Sequence, residues 1–214
     1  MRGAIDIRDG MRLLFQGDSI TDAGRKETPH GLGRGYVLMA AGFLQARRPS
    51  LRLEVLNRGV SGNRAKDLAA RWGPDCLELQ PDVVTVLIGV NDTWRRYDGR
   101  DPTTPEAFER SYREVLELTR DRLQAKIVVM EPFLLPCPAD RLAWREDLDP
   151  KIDVARRLAR GFAAALVPLD GAFAAAAVRS RDPSYWAPDG VHPTPAGHGL
   201  IASEWLRAVA GTGP

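Results

Sequence analysis

The chain has 214 residues and a net charge of +2, from 30 Lys and Arg against 28 Asp and Glu; that length suits one α/β domain with a full core, and the charge balance leaves no strong field for nucleic acid. Its two cysteines, Cys76 and Cys137, stand far apart outside any CxxC pattern, too few for a disulfide framework or a thiolate zinc site. No apolar run is long enough to span a bilayer, and residues 1–12 lack the apolar core of a signal peptide, so a soluble cytoplasmic protein with no membrane partner is expected.

The first predicted strand covers 11–16, where Leu13, Leu14 and Phe15 run into the turn-forming pair Gly17-Asp18. A loop rich in charge and glycine follows over 24–35. A helix over 36–47 puts Val37, Ala40, Ala41 and Leu44 on one face. The second strand, 51–57, alternates Leu51, Leu53 and Val55 against Arg52 and Glu54. A helix over 65–79 has an interruption at Gly73-Pro74. The unbroken apolar run 83–88 reads as a central parallel strand buried on both faces. Residues 89–103 read as loop. Thr104 and Pro105 are a cap and first residue for a helix reaching about Gln124. A fourth strand over 126–130, a proline-rich loop over 132–140, a helix over 148–160 and a fifth strand over 165–169 come next. A short helix over 171–179, a loop over 181–194 and a last helix from Thr194-Pro195 to about Ala210 complete the chain. Five strands alternating with helices, with no repeat or linker, imply a single domain built on a parallel sheet.

In such sheets ligands bind at the carboxyl ends of the strands. Three polar, glycine-marked turns fall there. The first carries Ser19, which alone reads as the cap of the next helix. The second, 57–63, contains Gly59, whose missing side chain lets its N–H approach a ligand closely. The third, Gly89-Val90-Asn91-Asp92, offers the side-chain amide of Asn91. A fourth stretch, 186–193, sets Asp189 three residues before His192 in a loop bounded by prolines. A carboxylate there can accept the imidazole Nδ1–H, fix the tautomer and leave Nε2 for Ser19. The other histidines carry less: His30 lies in a charged loop with no clear partner, and His198 faces Ile201 and Trp205 on the last helix.

Gly17-Asp18-Ser19-Ile20, Gly59, Gly89-Val90-Asn91-Asp92 and Asp189-Gly190-Val191-His192 resemble, in order, the four blocks of the GDSL, or SGNH, hydrolases. Ile20 stands where the family name has leucine. Within that family, residues 31–37, 91–98 and 186–197 are similar to bacterial carbohydrate acetylesterases of the acetylxylan esterase type. The resemblance implies a flavodoxin-like three-layer α/β/α sandwich. It implies Ser19 as nucleophile, His192 as base and Asp189 as its orienter. It implies an oxyanion hole made of the Ser19 and Gly59 N–H groups with the Asn91 amide. Neither metal nor cofactor is called for, the substrate is a small acetylated sugar, and similar acetylesterases assemble into homo-oligomers.

Trp94 and Tyr97 follow the Asn91 turn and Trp186 precedes Asp189, so these rings are expected to border the serine as platforms for a sugar ring. Arg95 and Asp92 are expected to meet its hydroxyls. No long apolar insertion remains to build a lipid lid, which favours a short acyl group. Other readings compete. Asp18, Asp22, Asp92, Asp189 and His192 are metal-ligand types, as in a phosphoesterase, but two-metal sites usually take more histidines. A non-catalytic sugar-binding protein could share the fold, though an intact triad argues against it. A lysophospholipase or thioesterase would use the same triad.

Overall fold

A computed structural model describes residues 5–179 and 182–210. Residues 1–4 of the N-terminal stretch and Arg181, the first residue of the expected loop 181–194, lie outside them. Five apolar runs form the sheet: β1 (Arg12–Gly17), β2 (Glu54–Asn57), β3 (Val83–Leu87), β4 (Lys126–Met130) and β5 (Ala165–Val167). They lie in the order β2-β1-β3-β4-β5, every neighbouring pair parallel. The helices between and beyond them are α1 (Ser19–Asp22), α2 (Tyr36–Arg47), α3 (Ala65–Ala70), α4 (Trp72–Asp75), α5 (Val90–Asp98), α6 (Pro105–Leu123), α7 (Arg145–Gly161), α8 (Leu169–Arg179) and α9 (Pro195–Ala210).

Alternation along the strands builds two cores, because successive side chains point to opposite faces. Leu13, Phe15, Val128 and Met130 meet α2, α8 and α9 through Tyr36, Leu44, Phe173 and Trp205. Leu14, Val84, Val86 and Val129 meet α3, α4, α6 and α7 through Leu68, Trp72, Tyr112 and Leu158. Two indoles sealed in these layers find partners. The Trp205 indole donates to Thr85 Oγ1 at 3.0 Å, and the Trp72 indole to Thr119 Oγ1 at 3.2 Å. The result is the flavodoxin-like three-layer sandwich. Among the described residues no helix is long and apolar enough to cross a membrane.

The chain leaves β1 for β2 on one side and returns to β3 on the other, so a crevice opens beyond the carboxyl ends of β1 and β3. Ser19 follows β1 and Asn91 follows β3.

Several boundaries differ from the sequence reading, among them the start of the helix expected over 148–160, which begins at Arg145. Residues 89–103, expected as loop, contain α5. Its apolar residues Val90, Trp94 and Tyr97 share one helical face. Asp92 in its first turn and Arg95 and Arg96 in its last complement the helix dipole. The expected helix 65–79 is divided into α3, α4 and a 3₁₀ turn, Leu77–Leu79, with the first break at Arg71. β2 starts at Glu54, where pairing with Arg12 begins. β5 stops at Val167, and Leu169 already belongs to α8.

Candidate active site

One turn of helix, α1, follows β1 directly. Its cap is Asp18, whose Oδ1 accepts the Ile20 N–H at 3.0 Å. Ser19 is therefore not the cap, and its hydroxyl turns outward. Ser19 Oγ lies 2.9 Å from His192 Nε2, and His192 Nδ1 lies 2.6 Å from Asp189 Oδ2. The other carboxylate oxygen of Asp189 accepts the backbone N–H groups of Val191 at 3.0 Å and His192 at 2.7 Å. The aspartate thus shapes the loop and orients the ring at once.

The electrostatics follow from these bonds. Burial works against an ionised Asp189, but the bonds from the His192 ring and from the His192 and Val191 amides prevail and hold its pKa at about 2. The same Asp189 bond raises the pKa of His192 above the ordinary histidine value, against the opposing effect of burial, with the charges of Asp189 and Asp18 adding to it. Asp18 is fully buried, one of its oxygens has no partner, and burial raises its pKa to about 7. An alcohol on a neutral imidazole that is itself held by a carboxylate can lose its proton as it attacks an electrophile.

Donors for an oxyanion surround the serine. Ser19 opens α1, so its N–H has no intrahelical acceptor. Asn91, at the start of α5, spends one amide N–H on the Asn63 carbonyl at 3.1 Å and keeps the other.

Gly59 departs from expectation. Its N–H is not free for a ligand, because it donates to Asn57 Oδ1 at 2.9 Å. Its carbonyl accepts the Arg25 Nε–H at 2.7 Å. Its bare Cα packs on α1: a Cβ there would overlap the Asp22 nitrogen and fall 2.8 Å from both Asp22 Cα and the Thr21 carbonyl carbon. The glycine is needed for close packing behind Ser19. Three residues on, Gly62 has φ +81°, and within 4 Å a Cβ there would meet only Arg95 Nη2, at 3.8 Å. Among the described residues its N–H meets no acceptor, and it adjoins Asn63, on which the Asn91 amide rests. The sequence reading gives the ligand-facing N–H to Gly59 and no such role to Gly62.

The expected sugar contacts divide. Trp94 is half-buried with its ring centroid 5.7 Å from that of His192, so it borders the triad. Arg95 reaches the rim, with Nη2 3.8 Å from where a Gly62 Cβ would stand, and pairs with Asp98 at 2.6 Å. Asp92 is excluded: it is fully buried, and its Oδ2 accepts the Ala65 N–H at 3.0 Å. One residue along a helix from Asn91 is about 100° round the axis, which turns Asp92 inward to the start of α3. Tyr97 is not an open platform either. It stacks on Trp144 at 4.9 Å, Arg96 lies 5.6 Å from its ring, and its hydroxyl donates to the Ala143 carbonyl at 2.9 Å. Trp186 packs edge-on against Tyr185, and its carbonyl ties the loop by accepting the Thr194 N–H at 2.8 Å.

Beside Trp94 opens a cleft of about 480 Å³, lined by Trp94, Tyr97, Asp98, Asp140, Arg141 and Trp144. Trp144 and Arg141 went unnoticed in the sequence, being single residues in a short irregular segment. His198 stacks on Tyr36 and accepts its backbone N–H at 3.2 Å, and burial lowers its pKa to about 4. Among the described residues no group of three or more His, Cys, Asp or Glu side chains could hold a metal ion. The acidic residues near the serine have other bonds: Asp22 accepts from the Arg25 amide and Ser61, Asp18 from Ile20, and Asp92 from Ala65.

The pattern of the GDSL-like lipase/acylhydrolase family matches residues 15–200. An acetylxylan esterase of Geobacillus stearothermophilus is 35% identical over 213 residues, 95% of each chain. The solved structure of that organism's acetylxylan esterase Axe2 superposes with a TM-score of 0.88 at 34% identity, covering 96% of both chains. A protein of Parabacteroides merdae named as a GDSL-like lipase gives 0.91 at 37% identity, covering 97% of this chain and 99% of its own. Two Axe2 structures are of catalytic mutants, one with a histidine and one with an aspartate changed to alanine. On a match that spans most of its length, the chain is a carboxylic ester hydrolase belonging to the GDSL-like lipase/acylhydrolase family.

Proposed function

We propose that the protein removes acetyl groups from acetylated carbohydrates through an acyl-enzyme on Ser19. The observation that carries this reading is the continuous relay from Ser19 Oγ to His192 Nε2 and from Nδ1 to Asp189, at 2.9 and 2.6 Å. His192 takes the Ser19 proton as the oxygen attacks the ester carbonyl. The developing oxyanion is received by the Ser19 N–H, the free Asn91 amide N–H and, in place of Gly59, the Gly62 N–H. Donors fixed in advance need little reorganisation at that moment. His192 then protonates the leaving sugar oxygen. Water enters, gives its proton to His192 and attacks the acyl carbon, and Ser19 is released with its proton restored.

The carbohydrate part of the proposal is supported by similarity to Axe2, described as an acetyl-xylooligosaccharide esterase, and by the cleft beside Trp94. Asp98 and Asp140 at its walls suit hydroxyl groups, and Trp94 suits the C–H face of a sugar ring. A cytoplasmic homo-oligomer completes the reading, and the mass in solution by light scattering checks the assembly.

A serine-reactive fluorophosphonate should modify Ser19, located by mass spectrometry. Acetylated xylo-oligosaccharides should release acetate, and p-nitrophenyl esters should be cleaved faster as acetate than as butyrate, and far faster than as octanoate. Modification elsewhere, or a rate maximum at six carbons or beyond, would overturn the proposal in favour of a different site or of a lysophospholipase or thioesterase.

A further inference from the structure

The Asp189–His192 pair sits in an exposed loop: the two side chains are 38% and 48% accessible. Ordering such a loop has an entropic cost, which bonds within it, from the Val191 and His192 amides to Asp189 and from the Thr194 N–H to the Trp186 carbonyl, offset in part. Further bonds come from across the crevice. Three successive carbonyls are each gripped by the segment that precedes α7. The Cys137 thiol donates to the Pro188 carbonyl at 3.4 Å, the Arg141 Nε–H to the Asp189 carbonyl at 3.0 Å, and the Leu135 N–H to the Gly190 carbonyl at 2.9 Å.

Of these donors Arg141 alone also touches the other side of the site. Its guanidinium lies 4.0 Å from the ring centre of Trp144 and 5.3 Å from that of Trp94. Trp94 in turn packs against the His192 ring, and Trp144 stacks on Tyr97. The side chain is only 14% accessible and adds an ion pair to Asp140 at 3.0 Å. A planar guanidinium can stack on rings and donate in its own plane together, which an ammonium cannot.

We infer that Arg141 is a positioning residue for the hydrolysis, fixing the backbone of Asp189 and the Trp94 wall of His192 in one register; the inference rests on the Ser19 reading above. Its removal leaves Ser19, His192 and the oxyanion donors chemically intact. What is lost is the alignment of the imidazole with the serine. A misplacement of about 1 Å can cost about 10²-fold in rate, so on p-nitrophenyl acetate, which has no sugar to place in the cleft that Arg141 lines, the effect belongs in kcat, with KM close to that of the wild type. Where the charge is kept, as in a lysine variant, the acid limb of kcat/KM should also move to lower pH. A carboxylate held less firmly against Nδ1 supports the imidazolium less, while the other charges facing His192, Asp18 and His198, are unchanged.

Arg141→Met and Arg141→Lys test this. Methionine keeps an apolar stem on Trp144 and loses every donor. Lysine keeps the charge and loses the planar Nε–H. On p-nitrophenyl acetate both should lower kcat, methionine by about 10- to 100-fold and lysine by less, with KM held and, in the charge-keeping lysine variant, the acid limb moved downward. Folding is checked by circular dichroism, and if the methionine variant does not fold, the lysine variant decides. A folded variant with wild-type kcat and pH profile, or one changed in KM alone, overturns the inference. The wild type is labelled with fluorophosphonate in parallel. Failure to label Ser19 there refutes the functional reading itself, whereas normal labelling with an unaltered Arg141 variant refutes only the role of Arg141.

Discussion

Replacing Gly59 by alanine tests whether that glycine serves the fold or the substrate. The added methyl would meet the Asp22 nitrogen, Asp22 Cα and the Thr21 carbonyl carbon, all backbone atoms of α1 and the nearest of them well inside contact distance. Backbone cannot rotate away as a side chain can, so either α1 or the 57–59 turn must shift. Overpacking of this kind costs typically 1–3 kcal/mol, and contact with backbone puts it near the top, about 3 kcal/mol. For a chain of this length that lowers the melting temperature by roughly 6–12 °C. The element displaced carries Ser19, so the rate on p-nitrophenyl acetate should fall with it. Gly62→Ala is the control. Only the positive φ opposes alanine there, which costs about 1–2 kcal/mol, or roughly 2–8 °C. Differential scanning fluorimetry and steady-state kinetics on both variants suffice. A Gly59→Ala protein that melts with the wild type yet loses kcat would refute the reasoning, since it would mean that the glycine faces the substrate after all.

The remaining predictions concern charge and donors. Asn91→Ala should lower kcat by roughly 10²–10³ with little change in KM, since its free N–H acts on developing charge; a rise in KM alone would make it a binding residue. Activity should require neutral His192, so kcat/KM should rise with pH through an apparent pKa above the ordinary histidine value and hold beyond it. Asp189→Asn should lower the rate and bring that pKa down; an unchanged profile would move the orienting role elsewhere. Asp92→Asn should gain stability over the wild type as pH rises from 5 to 8. The native carboxyl titrates at about 7 against 3.8 for the free group, so the folded wild type binds more protons between those values and loses stability as pH climbs through them. Equal differences in melting temperature at both ends of the range would count against it.

What the sequence disclosed and what it withheld divide along physical lines. The five strands were legible because buried parallel strands are short apolar runs closed by glycine or polar turns. Ser19, Asn91, Asp189 and His192 were legible because each stands in such a turn. The helix α5 was missed because glycine and polar residues dominate its start and its apolar face has only three members. Asp92 was taken for a surface residue because a carboxylate usually is one. Its burial depends on the start of α3, 27 residues away in the chain. The same blindness hid Lys151, fully buried with partners in Asp147 and Thr93. Gly59 was taken for the oxyanion donor because, in sequence, a missing side chain looks the same whether it admits a ligand or a neighbouring backbone. The stacking of Tyr97 on Trp144 spans α5 and the segment before α7, and no periodicity links those two stretches.

The distance along the chain between Ser19 and His192 bears on how the protein is made. Their hydrogen bond joins positions 173 residues apart, and α9, which buries Trp205 against the sheet, comes later still. During synthesis the serine therefore emerges long before its base, which follows 173 residues later. A nascent chain that has reached only Arg179 already holds all five strands, yet one face of its sheet lacks α9 and stays open to water. Contacts of such long range close slowly, and an uncovered apolar face invites association meanwhile. The segment from Asp189 through α9 therefore both completes the triad and covers that face, so that a product truncated at Arg179 should be inert and prone to aggregate.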